Sequence, residues 1–201
     1  MALDDFVNAI EDFSLAVHWD ADFMDSYYWR GYAYFQIGEC QKAIDDYDAY
    51  ARVVYHSPEL HFHRGQAYLC LREFELALTE LDLAVKYDPE ISELYSTRAY
   101  VHIVFEDYGQ AIRDCDKAIE LDPQNARAYA NRGIASLFGN VYHHGIDDFT
   151  RAIELDPGYA QAYYFRGLAY QSAGETALAD ADFARYSDLT GEVLTPEEMI
   201  F

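Results

Sequence analysis

Five arginines recur at one interval: Arg30, Arg64, Arg98, Arg132 and Arg166 stand 34 residues apart. They make up five of the 14 basic residues in the chain. A guanidinium presents its N–H donors as a rigid planar fork, which suits either an anionic ligand or a carboxylate of the same protein. A matching series of acids, Asp12, Asp46, Glu80, Asp114, Asp148 and Asp182, keeps the same period. The economical reading is an internal ladder, each arginine pairing with an acid of its own or the preceding unit, with Asp12 available to Arg30. Partly buried guanidinium groups need such partners, so a ladder fixes register more than it adds stability. The rival reading is a row of anion-binding arginines facing a groove.

Other reactive residues form no such pattern. His56, His61 and His63 are close in sequence, but His61 and His63 lie two apart and point to different faces of a helix, so they cannot chelate one ion as an i, i+4 pair does. His143 and His144 read as surface or cap residues. The carboxylates offer no spaced acid/base pair. No phosphate loop, nucleophile elbow or calcium loop is present. We therefore expect no enzyme activity, no metal and no cofactor. Cys40, Cys70 and Cys115 are odd in number and form no C-x-x-C, which predicts reduced thiols and a cytoplasmic setting.

The elements that carry these residues repeat with them. Asp-Pro occurs at Asp88-Pro89, Asp122-Pro123 and Asp156-Pro157, again 34 residues apart. Each ladder arginine is followed by Gly31, Gly65, Ala99, Gly133 or Gly167 and preceded, three residues earlier, by Tyr27, His61, Tyr95, Tyr129 or Tyr163. A second block follows: Ala43-x-x-x-Tyr47, Ala77-x-x-x-Leu81, Ala111-x-x-x-Cys115, Gly145-x-x-x-Phe149 and Ala179-x-x-x-Phe183. Spacings of three and four predict two helices per unit. Gly38, Asn140 and Gly174 mark turns between them, and proline closes a unit. Small residues, such as Gly133 facing Gly145 and Gly65 facing Ala77, predict close helix approach. The units are 24–57, 58–91, 92–125, 126–159 and 160–193. Residues 1–23 match the latter half of a unit through Phe6, Ala9, Phe13 and Ala16, which leads us to expect a segment of a longer array. Thr195-Pro196-Glu197-Glu198 forms a capping box that predicts a short helix over 194–201, either a cap or the start of a further unit.

Composition narrows the function classes. Among 201 residues, 36 acids against 14 bases give a net charge of −22. Nucleic-acid binding and docking on an anionic membrane both require concentrated positive charge, so both are disfavoured. A hydrophobic content of 51% with 16% aromatic residues excludes an acidic disordered tail. No run approaches a membrane span, and the first residues lack the basic and apolar segments of a signal peptide.

A 34-residue unit of this pattern, aromatic-x-x-x-Gly-x-x-Tyr followed by Ala-x-x-x-Phe, Ala and Pro, resembles the tetratricopeptide repeat. The resemblance spans almost the whole chain. It departs at the five arginines, where leucine is more usual, at Tyr55 and Gly191 in place of proline, at Gly145 in place of alanine, and at Leu81 and Cys115 in place of an aromatic residue. It implies an all-α fold, a right-handed α-solenoid of five helix-turn-helix units and an N-terminal half unit, forming one domain over 1–201. It also implies a concave groove lined by the first helices. The groove-facing residues carried over are Tyr28, Trp29, Tyr32, Phe35, Phe62, His63, Tyr100, Asn131, Tyr164 and Phe165. Some relatives clamp a carboxylate with Lys, Asn and Arg in these phases. Here only Asn131 matches, and Gln161 and Phe165 stand where cations are required.

The function expected is therefore a non-catalytic scaffold for protein–protein interaction, holding a peptide or partner helix of apolar or basic character in an aromatic groove. Two alternatives stand beside it: an accessory region of a larger enzyme or signalling protein, and a self-associating structural module that forms a homo-oligomer.

Overall fold

A computed structural model describes residues 3–139 and 142–192. The turn expected at Asn140 and the capping box at Thr195 lie outside the described residues. Within them the fold is all-α. Five helix pairs follow a lone helix α1 (Leu3–Trp19): α2 (Met24–Gln36) with α3 (Cys40–Ala51), α4 (Pro58–Cys70) with α5 (Phe74–Tyr87), α6 (Ser92–Val104) with α7 (Tyr108–Leu121), α8 (Ala126–Phe138) with α9 (Tyr142–Leu155), and α10 (Ala160–Ser172) with α11 (Thr176–Thr190). Two compact units divide the chain, Met1–Glu90 and Ile91–Phe201, and the boundary falls between repeats.

Helices adjacent in sequence pack together within each unit, and so do first helices of successive repeats, such as α6 with α8. The pairs close tightly where the sequence supplies glycine. A Cβ on Gly133 would stand 2.7 Å from the Phe149 ring, and one on Gly167 would stand 2.7 Å from the Phe183 ring. The small residue and its counterpart vary together. Gly31 meets Tyr47 and Gly65 meets Leu81, while the bulkier Ala99 belongs to the repeat carrying the small Cys115. Tyr47, Leu81, Cys115, Phe149 and Phe183 are all buried.

Repeat boundaries are set by backbone chemistry. Asp88 and Asp122 are extended, as a residue before proline must be. The Asp88, Asp122 and Asp156 carboxylates accept from the backbone N–H of Glu90, Gln124 and Gly158, fixing the reversal as Asx turns. Asp20 makes the same turn with Asp22. Ser57 and Asn125 cap α4 and α8 through Leu60 and Ala128 N–H, and Pro58 occupies the first helical position after Ser57. Gly38 and Gly174 adopt positive φ between paired helices, and Arg72 and Glu106 adopt it in the same repeat phase without glycine's freedom.

The cysteines correct the sequence reading. Cys40, at the start of α3, forms a disulfide with Cys70, at the end of α4, with their Cα atoms 6.3 Å apart. Stacking one repeat on the next brings these positions together across 30 residues of chain, a proximity that cysteine spacing does not reveal. Closing a loop of that length removes freedom from the unfolded chain worth about 3–4 kcal/mol in the chain-entropy account. The expectation of three reduced thiols fails at Cys40 and Cys70, and with it goes the support it lent to a cytoplasmic setting. Cys115 remains a buried thiol, and burial pushes its pKa up. Among the described residues no helix is long and apolar enough to cross a membrane.

Candidate functional site

All five repeat arginines are engaged by protein carboxylates. Arg30, Arg98, Arg132 and Arg166 each present Nε and Nη2 to the two oxygens of Asp46, Asp114, Asp148 and Asp182, at 2.6–3.0 Å. The acid belongs to the same repeat in every case. Tyr27, Tyr95, Tyr129 and Tyr163 lie against these guanidinium groups at 5.4–5.7 Å from ring centroid to Cζ. The aromatic-x-x-Arg spacing thus sets a cation–π contact on one face while the fork is bound at its edge. The Arg132 pKa is driven further up, chiefly by its hydrogen bond to Asp148.

One repeat solves the same problem differently. His61 replaces the tyrosine and Glu80 replaces the aspartate. Glu80 divides its oxygens between Arg64 Nη2 at 2.6 Å and His61 Nδ1 at 2.8 Å. That leaves Arg64 Nε buried without a partner. The preceding repeat also contributes, but not through the acid series expected. Arg30, Arg64, Arg132 and Arg166 donate from Nη1 to Ser14, Asp48, Asp116 and Thr150. For Arg30 that partner is Ser14 in place of Asp12.

With the arginines committed inside, the open chemistry lies on the first helices. In the first unit, α2 and α4 carry an aromatic cluster. Tyr28 lies 5.1 Å from Trp29, 5.2 Å from Tyr50 and 5.9 Å from both Tyr47 and His63. Trp29 and Tyr32 meet at 6.1 Å, Tyr32 and His63 at 5.3 Å, and Phe62 and His63 at 5.5 Å. Trp29 keeps 49% of its surface exposed, whereas Tyr28, Tyr32 and Phe62 are half-buried. Phe35 packs against the core of this unit. Tyr47 Oη and His63 Nδ1 are buried with no hydrogen-bond partner. Burial lowers the His63 pKa to about 4, against a smaller opposing pull from Glu59. Burial and then the Glu59 charge raise the Tyr28 phenol to about 12. Tyr28 and His63 are therefore neutral at physiological pH.

The second unit repeats part of this arrangement at its far end. Tyr164 contacts Phe165, Phe183 and Tyr186 at 5.3, 6.0 and 5.4 Å, and these four residues occupy the phases of Tyr28, Trp29, Tyr47 and Tyr50. On α8 of the second unit the corresponding face is partly closed by packing. Asn131 is only 4% exposed. Its Nδ2 donates to the Ser96 carbonyl at 2.8 Å, tying α8 to α6. Tyr100 is 44% exposed, and Thr97 Oγ1 is buried without a partner.

The unit length, the paired helices and the buried Gly–aromatic contacts agree with a family match: the tetratricopeptide repeat model matches residues 30–91 and 62–126. The chain is a tetratricopeptide repeat protein. No curated protein matches the sequence. Solved structures share the fold at low identity. The MamA fragment 41-end from Desulfovibrio magneticus RS-1 is 21% identical with a TM-score of 0.72, over 84% of this chain and 95% of that one. YrrB, a tetratricopeptide repeat protein with an unusual peptide-binding site, is 18% identical with a TM-score of 0.68, over 91% and 94%. The APC/C hetero-tetramer Cut9–Hcn1 is 19% identical with a TM-score of 0.86, over 98% of this chain and 39% of that one. For a tetratricopeptide repeat protein, Tyr50 and Tyr186 are the additions that motif reading passed over. They stand where Ala84, Ala118 and Ala152 are wholly buried in the other repeats, and that contrast is visible once the units are aligned.

Proposed function

We propose that the protein is a non-catalytic interaction scaffold that holds a peptide or partner helix against the aromatic first-helix face formed by Tyr28, Trp29, Tyr32, Phe62 and His63. The observation that carries this reading is the half-exposed Trp29 ring, in contact with Tyr28 and Tyr32, which in turn pack on His63, whose Nδ1 is buried with no partner. Such rings offer large apolar area with polar tips, the composition of interface anchors. Removing about 100 Å² of apolar surface per ring from water is worth ~2.5 kcal/mol before binding costs, so two or three rings suffice for a short peptide. Tyr164 and Phe165 offer a second, smaller anchor. The net charge of −22 favours a partner with apolar anchors and basic flanks, recruited faster at low salt. The peptide-binding site named for YrrB supports use of the same fold in this way.

A peptide selected from a displayed library against the intact protein, then titrated calorimetrically, tests the reading. Trp29→Ala should weaken its binding by about 1 kcal/mol or more, at least fivefold, with the melting temperature nearly unchanged. Equal affinity for both proteins, or a parallel fall in melting temperature, would count against it.

A further inference from the structure

One repeat has an opening where the others have a ring. The residue four after the ladder arginine is Tyr34, Tyr68, His102 and Tyr170 in α2, α4, α6 and α10, but Ser136 in α8. In the first unit the Tyr34 ring lies 5.5 Å from Lys42 Nζ. In the second unit the Tyr170 ring lies 5.8 Å from Arg166 Cζ, and His102 Nε2 lies 3.7 Å from Asp114. At Ser136 no such side chain is present, and a cleft of about 360 Å³ opens. Its walls are Ile112, Asp116, Arg132, His144, Asp147 and Asp148, with Ser136 among them. Ser136 and Asp148 are each only 7% exposed. Arg132 shows the loss of cover: its side chain is 27% exposed, against 16–18% for the other four ladder arginines. The cleft lies on a different side of α8 from Asn131, so it is separate from the aromatic first-helix face.

We infer that this cleft is a docking site for the phenol ring of a tyrosine from a partner protein, seated where the protein's own repeats place tyrosine. The dimensions fit the low end of ligand pockets, roughly 300–1,000 Å³. The lining fits the chemistry. Arg132 has its edge fixed by Asp148 and Asp116 and one face against Tyr129, which leaves its second face for a ring, as Arg166 meets both Tyr163 and Tyr170. Ile112 supplies an apolar wall. The carboxylates of Asp147 and Asp116 accept a phenolic O–H. Three carboxylates against one guanidinium repel an anion, so a phosphorylated or carboxylate-bearing ring is rejected.

The test uses p-cresol, the tyrosine side-chain analogue, titrated into the full chain while backbone amide shifts are recorded. The expected result is saturable shifts at Arg132, Ser136 and His144, with binding at least tenfold weaker in Ser136→Tyr and a melting temperature raised by a few degrees in that variant. Toluene and ethylguanidinium serve as second probes on the unaltered protein. Toluene should bind several-fold more weakly than p-cresol, and ethylguanidinium should leave the cleft amides unmoved. The inference is overturned if p-cresol shifts none of these amides, if it shifts them equally in Ser136→Tyr, if Ser136→Tyr melts lower, if toluene binds as well, or if ethylguanidinium takes the cleft instead.

Discussion

His63 shows how one residue's environment becomes a measurable property. Its ring is enclosed by Tyr28, Tyr32, Tyr47 and Phe62, and burial lowers its pKa to about 4 from an ordinary value of 6.5. Between those two values the unfolded chain binds a proton that the folded chain refuses, so acid favours unfolding. Stability should fall by about 2–3 kcal/mol from this residue alone as the pH drops from 7 to 4.5. Urea unfolding at both pH values, on the protein and on His63→Phe, measures it. The variant should lose that much less on acidification, and an identical loss in both would show that His63 is not held neutral by burial. The arginine ladder was legible from sequence because both partners keep one period and are nearly constant in type. Its second set of partners was not, since Ser14, Asp48, Asp116 and Thr150 share a phase but mix hydroxyls with carboxylates. The anion-site reading of the arginines fails for the same physical reason that the ladder exists: each guanidinium is largely buried with its charge already paired to a protein carboxylate.

At the scale of elements, the helices were legible because apolar spacing, Asp-Pro and the small residues all repeat together. Among the described residues, turns inside a helix pair were legible only at glycine. Gly38 and Gly174 advertise positive φ, whereas Arg72 and Glu106 adopt it at φ 61° and 59° with nothing in their type to signal it. A side chain in the left-handed region costs roughly 1–2 kcal/mol, partly offset by the greater unfolded-state freedom glycine would bring. Glu106→Gly should therefore stabilise the second unit by ~0.5–1 kcal/mol in chemical unfolding, and a loss of stability would show that the Glu106 side chain contributes more than its backbone strain costs. The Cys40–Cys70 disulfide was illegible for a different reason. It joins the second helix of one repeat to the first helix of the next, and only stacking makes those ends neighbours.

At the scale of the whole molecule, repetition places like residues in like environments, so departures from the repeat carry the information. Ser136 in place of tyrosine opens a cleft, and Tyr50 and Tyr186 in place of alanine build aromatic patches in separate units. The net charge of −22 surrounds both with a field that selects against acidic partners. We propose the first-helix face of the first unit as the surface that meets a partner. Photo-crosslinking tests it most directly: a peptide selected for binding carries a benzoylphenylalanine in place of an apolar anchor, and adducts are mapped by mass spectrometry. Adducts are expected on α2 and α4, concentrated at Tyr28, Trp29, Tyr32, Phe62 and His63. Adducts confined to α3 and α5, or scattered evenly over the chain, would contradict it.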